Sequence, residues 1–437
     1  MLKRKAYEAM AQWKASPSRR ALLVTGARQI GKTYLVRKFA EENYDSFVEF
    51  NFALDPQAKS IFSQPLRPED IVMRFSLRAH KPLIPGKTLI FLDEIQEAPE
   101  VLTAIKGLID RGDYDYVLSG SLLGVELRNI RSNPVGYVAT LVMHPLDFEE
   151  FCWGVTGAPE VFSYLAECFT SKAEIDPVIH EHMLDLFRKY IVVGGMPDAV
   201  KTFIESSNIV LVRGVQEDIK NWYRTDISKY CPESEKLKAR DAFDLVPAEL
   251  NNPNKRFILK ELNQNARMRN YEEALLWLTH AQVANAAYNV KAPEYPLLAS
   301  KERRLFKLFY ADTGVLMSCY SMRASQDLLD GRSGVNFGSM YENVAAQEFV
   351  AHGFDMYYFN SKKHGELDFL LEKCDGEVLP IEIKSGKDYK RHRALNNVLN
   401  ISSYRLKQGY VFGSNNLQQE GNVLYLPIYM LALLKRD

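Results

Sequence analysis

The sequence predicts an α/β protein built on a parallel sheet that is covered by helices on both faces. Two nearly continuous apolar runs, 21–24 and 88–92, predict buried strands, because a strand covered on both faces has no solvent-facing side. A glycine-rich turn at 26–33 separates the first run from a segment with helical spacing of apolar residues. Near the carboxyl end, residues 366–371 and 378–384 alternate between apolar and polar and predict strands of a second sheet.

The composition is that of a globular protein and excludes several classes of function. Of 437 residues, 46% are apolar and 25% are charged, which is ordinary for a folded chain of about three domains. The 55 basic and 55 acidic residues give a net charge of zero, so nucleic-acid contacts would have to rest on local patches. The longest apolar run, 423–434, contains Pro427 and is too short to cross a bilayer, so no membrane partner is expected.

Cysteine usage and the first residues bear on location. Five scattered cysteines without a C-x-x-C pair predict reduced thiols and a cytoplasmic protein. The basic residues 1–5 lead into a mixed segment and not an apolar one, so no signal peptide is expected.

The glycine-rich turn has the pattern of a phosphate-binding loop. It reads Gly26-Ala27-Arg28-Gln29-Ile30-Gly31-Lys32-Thr33 and matches G-x-x-x-x-G-K-[ST] at each fixed position. The glycines let backbone N–H groups point inward, and the helix start adds its positive dipole end. We predict that all eight residues bind ATP, with Lys32 on the β- and γ-phosphates and the Thr33 hydroxyl on Mg²⁺. No N-K-x-D segment for guanine follows, so ATP is expected rather than GTP.

The second apolar run ends in Asp93 and Glu94. Ligands of parallel sheets bind beyond the carboxyl ends of the strands, where the phosphate-binding loop also lies. Asp93 is therefore a predicted Mg²⁺ ligand, and Glu94 is the predicted catalytic base that deprotonates the attacking water; the alternative is a solvated strand end. A strand at 116–121 that ends in small polar groups is expected beside this one. Ser119 or Ser121 would then sense the γ-phosphate, and the alternative is a plain Ser/Gly turn.

Two arginines follow on a predicted helix, and two interpretations of them stay open. Arg128 or Arg131 could act as an arginine finger toward a neighbouring copy in a homo-oligomer. The alternative is that both are simply exposed.

The middle of the chain is less specific. Residues 155–235 are predicted to be mostly helical, and 236–320 have a pattern that suits a winged helix. Between 255 and 269, five basic residues accompany one acid, which indicates either a DNA-phosphate contact or a solvated helix face. A low-hydrophobicity linker is predicted at 321–334.

Near the carboxyl end, four charged residues are predicted to converge. The period of two places Glu382 and Lys384 on one face of a strand, with Asp368 on the neighbouring strand and Glu342 on the preceding helix. The three carboxylates would hold Mg²⁺, and Lys384 would position or deprotonate a nucleophile, so all four are predicted catalytic residues. A local basic group could bind a DNA backbone; it comprises Lys384, Lys387, Lys390, Arg391 and Arg393.

These motifs resemble a prokaryotic AAA+ ATPase family that joins a P-loop domain to a carboxy-terminal domain of unknown function. Besides the loop and the strand at 89–96, the matching segments are 119–121, 144–151, 194–197 and 310–314. The resemblance implies an AAA+ core (1–154), a helical lid (155–235) and a winged helix (236–320). Many relatives have Gly-Arg shortly before the 144–151 segment, where this chain has Gly136-Tyr137. If that arginine is a finger in relatives, its role is absent here or has moved to Arg128 or Arg131.

The last part, 333–437, resembles the PD-(D/E)XK nuclease superfamily and implies a restriction-endonuclease-like α/β domain. The proline of that motif is not matched, since Leu367 precedes Asp368. Two functions follow as hypotheses. The first is an ATP-hydrolysing AAA+ protein whose nuclease-like domain acts on or binds DNA. The alternative is an ATP-controlled switch or scaffold in which the nuclease fold is degenerate and binds a partner.

Overall fold

The computed structural model describes residues 2–437 except 19, 121–135, 253–254, 258–270, 333–336 and 387. The chain divides into two compact units, Lys3–His144 and Pro145–Asp437, the latter together with the first two residues. In the described parts of both units, no helix combines the length and the apolar character that crossing a membrane requires.

The first unit contains a five-stranded sheet flanked by helices. Its helices are α1 (Lys5–Ala15), α2 (Lys32–Asn43), α3 (Pro68–Arg78) and α4 (Glu100–Arg111). Its strands are β1 (Ala21–Thr25), β2 (Ser46–Asn51), β3 (Thr88–Asp93), β4 (Asp115–Gly120) and β5 (Val138–Val142), and short 3-10 turns cover Pro56–Phe62 and Ile95–Glu97.

All five strands of this sheet are parallel, in the order β2-β3-β4-β1-β5. β3 is buried along its whole length, as its continuous apolar run predicted. α4 packs with an apolar stripe that includes Leu102, Ile105 and Leu108, at the spacing of one helix face. The structure confirms that β4 lies beside β3, so the carboxyl ends of β1, β4 and β3 are adjacent. β5 was not predicted.

The second unit begins with a helical stretch and ends with a second sheet. Its helices are α5 (Phe148–Thr156), α6 (Glu160–Ser171), α7 (Pro177–Val193), α8 (Pro197–Ser206), α9 (Ile209–Tyr230), α10 (Lys236–Asn251), α11 (Glu272–His280), α12 (Thr313–Met317), α13 (Met322–Leu329), α14 (Gly338–Ala351) and α15 (Arg393–Leu399). Its strands are β6 (Ala284–Val290), β7 (Lys301–Tyr310), β8 (Tyr357–Ser361), β9 (Gly365–Glu372), β10 (Val378–Ile383), β11 (Gly409–Gly413), β12 (Gln418–Glu420) and β13 (Val423–Pro427). Short 3-10 turns cover Leu297–Ser300, Ser402–Tyr404 and Ile428–Leu433.

The second sheet has eight strands in the order β12-β13-β11-β10-β9-β8-β6-β7. β8, β9 and β10 are antiparallel neighbours, whereas β10, β11 and β13 are parallel. From α14 onward the order is helix, three strands, helix and strand, which is the order that the sequence predicted. β12 and β13 were not predicted.

The winged helix predicted at 236–320 is not confirmed. β6 and β7 form an antiparallel hairpin, and β6 continues into the carboxy-terminal sheet by parallel pairing with β8, with Tyr288 opposite Tyr357. The two strands therefore extend the second sheet. Most of the predicted basic stretch, 258–269, lies outside the described residues.

The linker predicted at 321–334 is wrong for its first half. Residues 322–329 form α13, whose first turn is capped by the Ser321 hydroxyl accepting from the Ala324 N–H at 3.3 Å. Leu328 is buried, and the Arg213 guanidinium donates to the Ser325 hydroxyl at 2.8 Å. The low average hydrophobicity of the segment concealed the apolar face of an amphipathic helix.

Three segments that carry the family resemblance meet at one buried point, which we call the Asp312 junction. The Gly195 N–H donates to the Asp312 carboxylate at 2.6 Å, and the Leu146 N–H donates to the Gly195 carbonyl at 2.7 Å. A Cβ on Gly195 would lie 2.1 Å from the Leu146 carbonyl oxygen, so the close approach requires glycine. Burial raises the pKa of Asp312 to about 6, although backbone N–H groups of Gly195 and Val315 oppose the shift.

Candidate functional site

The phosphate-binding loop joins β1 to α2 through backbone conformations that favour glycine. Gly26 has φ +148°, and a Cβ there would lie 2.4 Å from the Met143 carbonyl oxygen. Gly31, which precedes α2, has φ +86°, and Gln29 between them also has a positive φ of 65°. These angles turn the chain sharply before the helix starts, which is the geometry that a phosphate-binding loop needs.

Lys32 begins α2 and is buried. Its ammonium donates to the Gly26 and Ala27 carbonyl oxygens at 2.9 and 2.8 Å, so the charge lies inside the loop. A buried ammonium at a helix start is a strong site for a phosphate, because charge and helix dipole act on the same anion.

Asp93, at the end of β3, is the centre of a hydrogen-bonded group. Its carboxylate accepts from the Thr33 hydroxyl at 3.1 Å, from the Asn51 amide at 2.8 Å and from the Ser119 hydroxyl. Burial raises the pKa of Asp93, which is the largest effect, while the hydrogen bonds from Ser119 and Thr33 lower it. Oxygen ligands from Thr33 and Asp93 are what Mg²⁺ prefers, so these residues fit the predicted ion.

Glu94 follows Asp93 in a left-handed backbone conformation, with φ 56°. This region is uncommon for a residue other than glycine and often marks functional sites. The Glu94 N–H donates to the Asp93 carboxylate at 3.1 Å, and the Gln96 amide donates to the Glu94 carboxylate. Glu94 is half-buried and adjoins Asp93, as a general base beside a metal ligand would.

Some residues of this site were not predicted, and three predicted residues lie outside the described part of the chain. Asn51 ends β2 directly opposite Asp93 in register, so the rule that ligands gather at strand ends could have found it. Arg4, directly before α1, supports the loop, because its guanidinium donates to the Ile30 carbonyl at 3.2 Å and the His144 carbonyl at 2.6 Å. Ser121, Arg128 and Arg131 lie outside the described residues.

The second unit contains a carboxylate cluster that comprises Glu342, Glu366, Asp368 and Glu382. Glu342 belongs to α14. It is buried, and both of its oxygens have ammonium partners: Lys255, and Lys307 at 3.4 Å. Lys307 also contacts the Glu366 carboxylate at 2.9 Å. Neither lysine nor Glu366 was predicted as part of this site.

The other three predicted residues lie on the adjacent strands. The Asp368 carboxylate of β9 accepts from the Ile383 N–H at 2.8 Å. Just beyond β10, the Lys384 ammonium lies 2.9 Å from the Glu382 carboxylate, on the same face as the period of two required. The structure thus brings all four residues together, since the charges of Asp368, Glu342 and Glu382 act on one another.

The pKa shifts in the cluster follow from burial and from the lysines. Burial, together with Asp368, raises the pKa of Glu382 to about 8, although Lys384 opposes the shift. Burial also raises the pKa of Glu342 against the opposing effect of Lys307. For Asp368, burial acts upward, but Lys307 and Lys255 more than compensate, so its pKa is lowered.

The cluster does not fit the predicted Mg²⁺ as it stands. Among the described residues, no group of three or more His, Cys, Asp or Glu side chains is arranged to hold a metal ion. The reason is visible in the contacts, because Glu342 and Glu382 are turned to lysines and Asp368 to a backbone N–H. In a metal site the carboxylate oxygens face the ion, whereas here the oxygens of Glu342 and Glu382 face lysine ammonium groups.

The predicted basic group beside the cluster is mostly paired in the structure. Lys384 pairs with Glu382, and Lys390 pairs with Glu420. Arg391 lies 3.9 Å from Asp388, and Arg393 is exposed. Lys387 lies outside the described residues.

Family models match three consecutive parts of the chain. Residues 18–152 match a model described as an AAA domain. The amino-terminal part of the chain is thus similar to AAA domains, and the matched residues include the phosphate-binding loop and the end of β3. Residues 184–326 match a domain of unknown function (DUF8612), and residues 337–431 match another (DUF4143).

Comparisons with whole proteins give little information beyond the AAA-domain match. No curated protein matches the chain. A solved structure of a Walker-type ATPase of Pyrococcus abyssi is 12% identical, with 73% of this chain and 95% of that chain covered and a TM-score of 0.43. PCH-2 of C. elegans is 14% identical, with 46% and 61% covered and a TM-score of 0.26. At these TM-scores the two likenesses carry no argument.

Proposed function

We propose that the AAA domain hydrolyses ATP with Mg²⁺ at the loop 26–33 and the end of β3. The observation that carries the proposal is the contact of 3.1 Å between the Thr33 hydroxyl and the Asp93 carboxylate, beside the buried ammonium of Lys32. Together they offer one positive charge for phosphates and a pair of oxygen ligands for a cation.

Each residue then has a distinct role. Lys32 and the loop N–H groups bind the phosphates, while Thr33 and Asp93 hold Mg²⁺, which neutralises charge on the phosphates when bound. Glu94 orients the attacking water and takes its proton. Asn51 and Ser119 are positioning residues, because their hydrogen bonds fix the Asp93 carboxylate. A role of Ser121 as sensor, and an arginine finger in a homo-oligomer, remain predictions.

Two substitutions separate binding from turnover. Lys32→Ala should weaken binding of a fluorescent ATP analogue, whereas Glu94→Gln should bind it normally and lower phosphate release by about 10²-fold or more. Lys38→Ala, further along α2, and Glu97→Gln, three residues beyond Glu94, are the matched controls and should behave like the parent. If Lys32→Ala and Glu94→Gln both hydrolyse ATP like the parent, the site is assigned wrongly.

For the carboxy-terminal region, we propose binding of nucleic acid through the segment 384–393, in a nuclease-like fold that does not cut. Support for binding is the basic composition of this segment, with Arg393 exposed. Support for the absence of cutting is the set of lysine partners that saturate Glu342 and Glu382. The competing candidate is a Mg²⁺-dependent nuclease, which the order of elements and the meeting of Asp368, Glu382 and Lys384 favour.

A cleavage and binding assay discriminates between the two candidates. The purified chain is incubated with Mg²⁺ or Mn²⁺ and linear, branched or single-stranded DNA. Cleavage that is lost in Lys384→Ala but kept in Lys32→Ala would establish a nuclease. Salt-dependent binding without cleavage, weakened by Arg391→Ala/Arg393→Ala but not by the exposed control Arg323→Ala, would support the proposal. If the chain neither binds nor cuts DNA, the remaining hypothesis is the switch or scaffold, in which this region binds another partner.

A further inference from the structure

Two lysines from outside the nuclease-like segment reach into the carboxylate cluster. Lys307 belongs to β7, and Lys255 precedes the stretch 258–270. Lys307 reaches the cluster because the β6–β7 hairpin joins the same sheet as β8 and β9. The segment of Lys255 lies against β7, where the Phe257 N–H donates to the Phe306 carbonyl at 3.0 Å. Lys307 has no role in the predicted ATP hydrolysis or DNA binding, and Lys255 entered the predictions only as one basic residue of the stretch 255–269.

Lys307 is held as a buried cation. Its side chain is 0% exposed, and its ammonium lies 2.9 Å from Glu366 and 3.4 Å from Glu342. It also lies 5.2 Å from the centre of the Tyr358 ring, whose face attracts cations. An ammonium in such surroundings is stable only when carboxylates compensate its desolvation.

Lys255 covers the other side of Glu342. Its ammonium pairs with the second oxygen of that carboxylate, and its side chain is 22% exposed. A divalent ion would need these same oxygens as ligands. Since Lys255 approaches from the solvent side and Lys307 from the sheet, Lys255 is the partner that can be removed with less disturbance of the core.

The charge balance of the cluster also opposes a divalent ion. Lys255, Lys307 and Lys384 act on the four carboxylates Glu342, Glu366, Asp368 and Glu382. With all seven groups charged, the formal charge of the cluster is minus one, so little net attraction remains for a divalent ion, and the three ammonium groups face the carboxylate oxygens that the ion would need. Like charges at such short range repel strongly in low dielectric surroundings.

We propose that Lys255 and Lys307 occupy the cation place of this nuclease-like fold, so that the native chain takes no divalent ion there. Lys255 acts as a removable cap on Glu342, and its loss frees the carboxylate oxygen of Glu342 that it covers for a divalent ion. The inference concerns ion binding at this cluster and does not depend on ATP turnover.

Mn²⁺ binding to the nucleotide-free full chain tests the proposal. An Asp93→Asn background removes the amino-terminal ion ligand, so that remaining binding reports on the second unit. We expect no bound Mn²⁺ in this background alone. Adding Lys255→Ala should raise Mn²⁺ affinity by about tenfold or more, because one buried positive charge is gone. Adding Glu342→Gln as well should abolish the gain.

Lys255→Arg is the matched control, because it keeps the positive charge and should gain no Mn²⁺. Circular dichroism establishes that each variant is folded. Mn²⁺ binding by the background chain that Glu342→Gln removes would overturn the proposal, and so would a folded Lys255→Ala chain that gains none. Phosphate release by the chain with native Asp93, measured separately, reports on the proposed ATPase, so failure of one idea is distinguishable from failure of the other.

Discussion

Replacing Lys307 by methionine tests the energetic importance of the buried lysine. Methionine has similar length and no charge, so the change removes the ion pairs with Glu342 and Glu366 without adding volume. Glu342 would keep Lys255, whereas Glu366 would lose the partner that lies 2.9 Å away. Removing one member of a buried ion pair costs about 3–5 kcal/mol, because the remaining charge is left in low dielectric surroundings. We expect a loss of this size.

The assay is urea-induced unfolding of the second unit, followed by tryptophan fluorescence. Three of the four tryptophans, Trp153, Trp222 and Trp277, belong to this unit. The matched control is Lys373→Met, which removes a partly exposed pair with Glu377 at 2.8 Å and should cost less than about 1 kcal/mol.

A second variant shows whether the uncompensated charge is the cause. Lys307→Met combined with Glu366→Gln should recover part of the loss, because the carboxylate that lost its ammonium partner is then neutral. A loss in Lys307→Met no larger than in Lys373→Met would refute the reasoning. Strict additivity of the two changes would also refute it.

Two further predictions concern the loop and the Asp312 junction. Gly26→Ala should destabilise the first unit by about 2–4 kcal/mol in a melting assay and abolish nucleotide binding, because φ is +148° and the Met143 carbonyl leaves no room for a Cβ. Gly86→Ala is the control, because Gly86 has φ +74° and open space, so this variant measures the cost of the backbone conformation alone. At the junction, the raised pKa of about 6 means that folded Asp312 binds more protons than unfolded Asp312 between about pH 4 and 6. The free energy of unfolding should therefore fall by about 3 kcal/mol as pH rises through this window, and Asp312→Asn should flatten that slope. A slope that is unchanged in Asp312→Asn would contradict the assignment.

The nucleotide site could be predicted from sequence because its information is local. The loop 26–33 is one continuous stretch, and Asp93 ends a strand whose apolar character is evident without any partner. Even Asn51, which was missed, follows from the same rule of strand ends.

The carboxylate cluster could be predicted only in part, because its lysines depend on long-range pairing. Glu342, Asp368, Glu382 and Lys384 share one run of about forty residues with readable periodicity. Lys307 reaches them only because β6 pairs with β8, and β6 is rich in alanine, which gives a weak strand signal. From the sequence alone, nothing therefore distinguished Lys307 from the other charged residues of β7.

The pairing of β6 with β8 has a consequence for dividing the chain into fragments. A polypeptide that starts at the boundary of the 337–431 match would lack the hairpin, leaving β8 with unpaired backbone groups along one side. In that fragment Glu342 would be buried without the ammonium group of Lys255 or of Lys307. We expect such a fragment to aggregate, whereas one that begins ahead of Lys255 retains both the missing strands and the missing counter-charges.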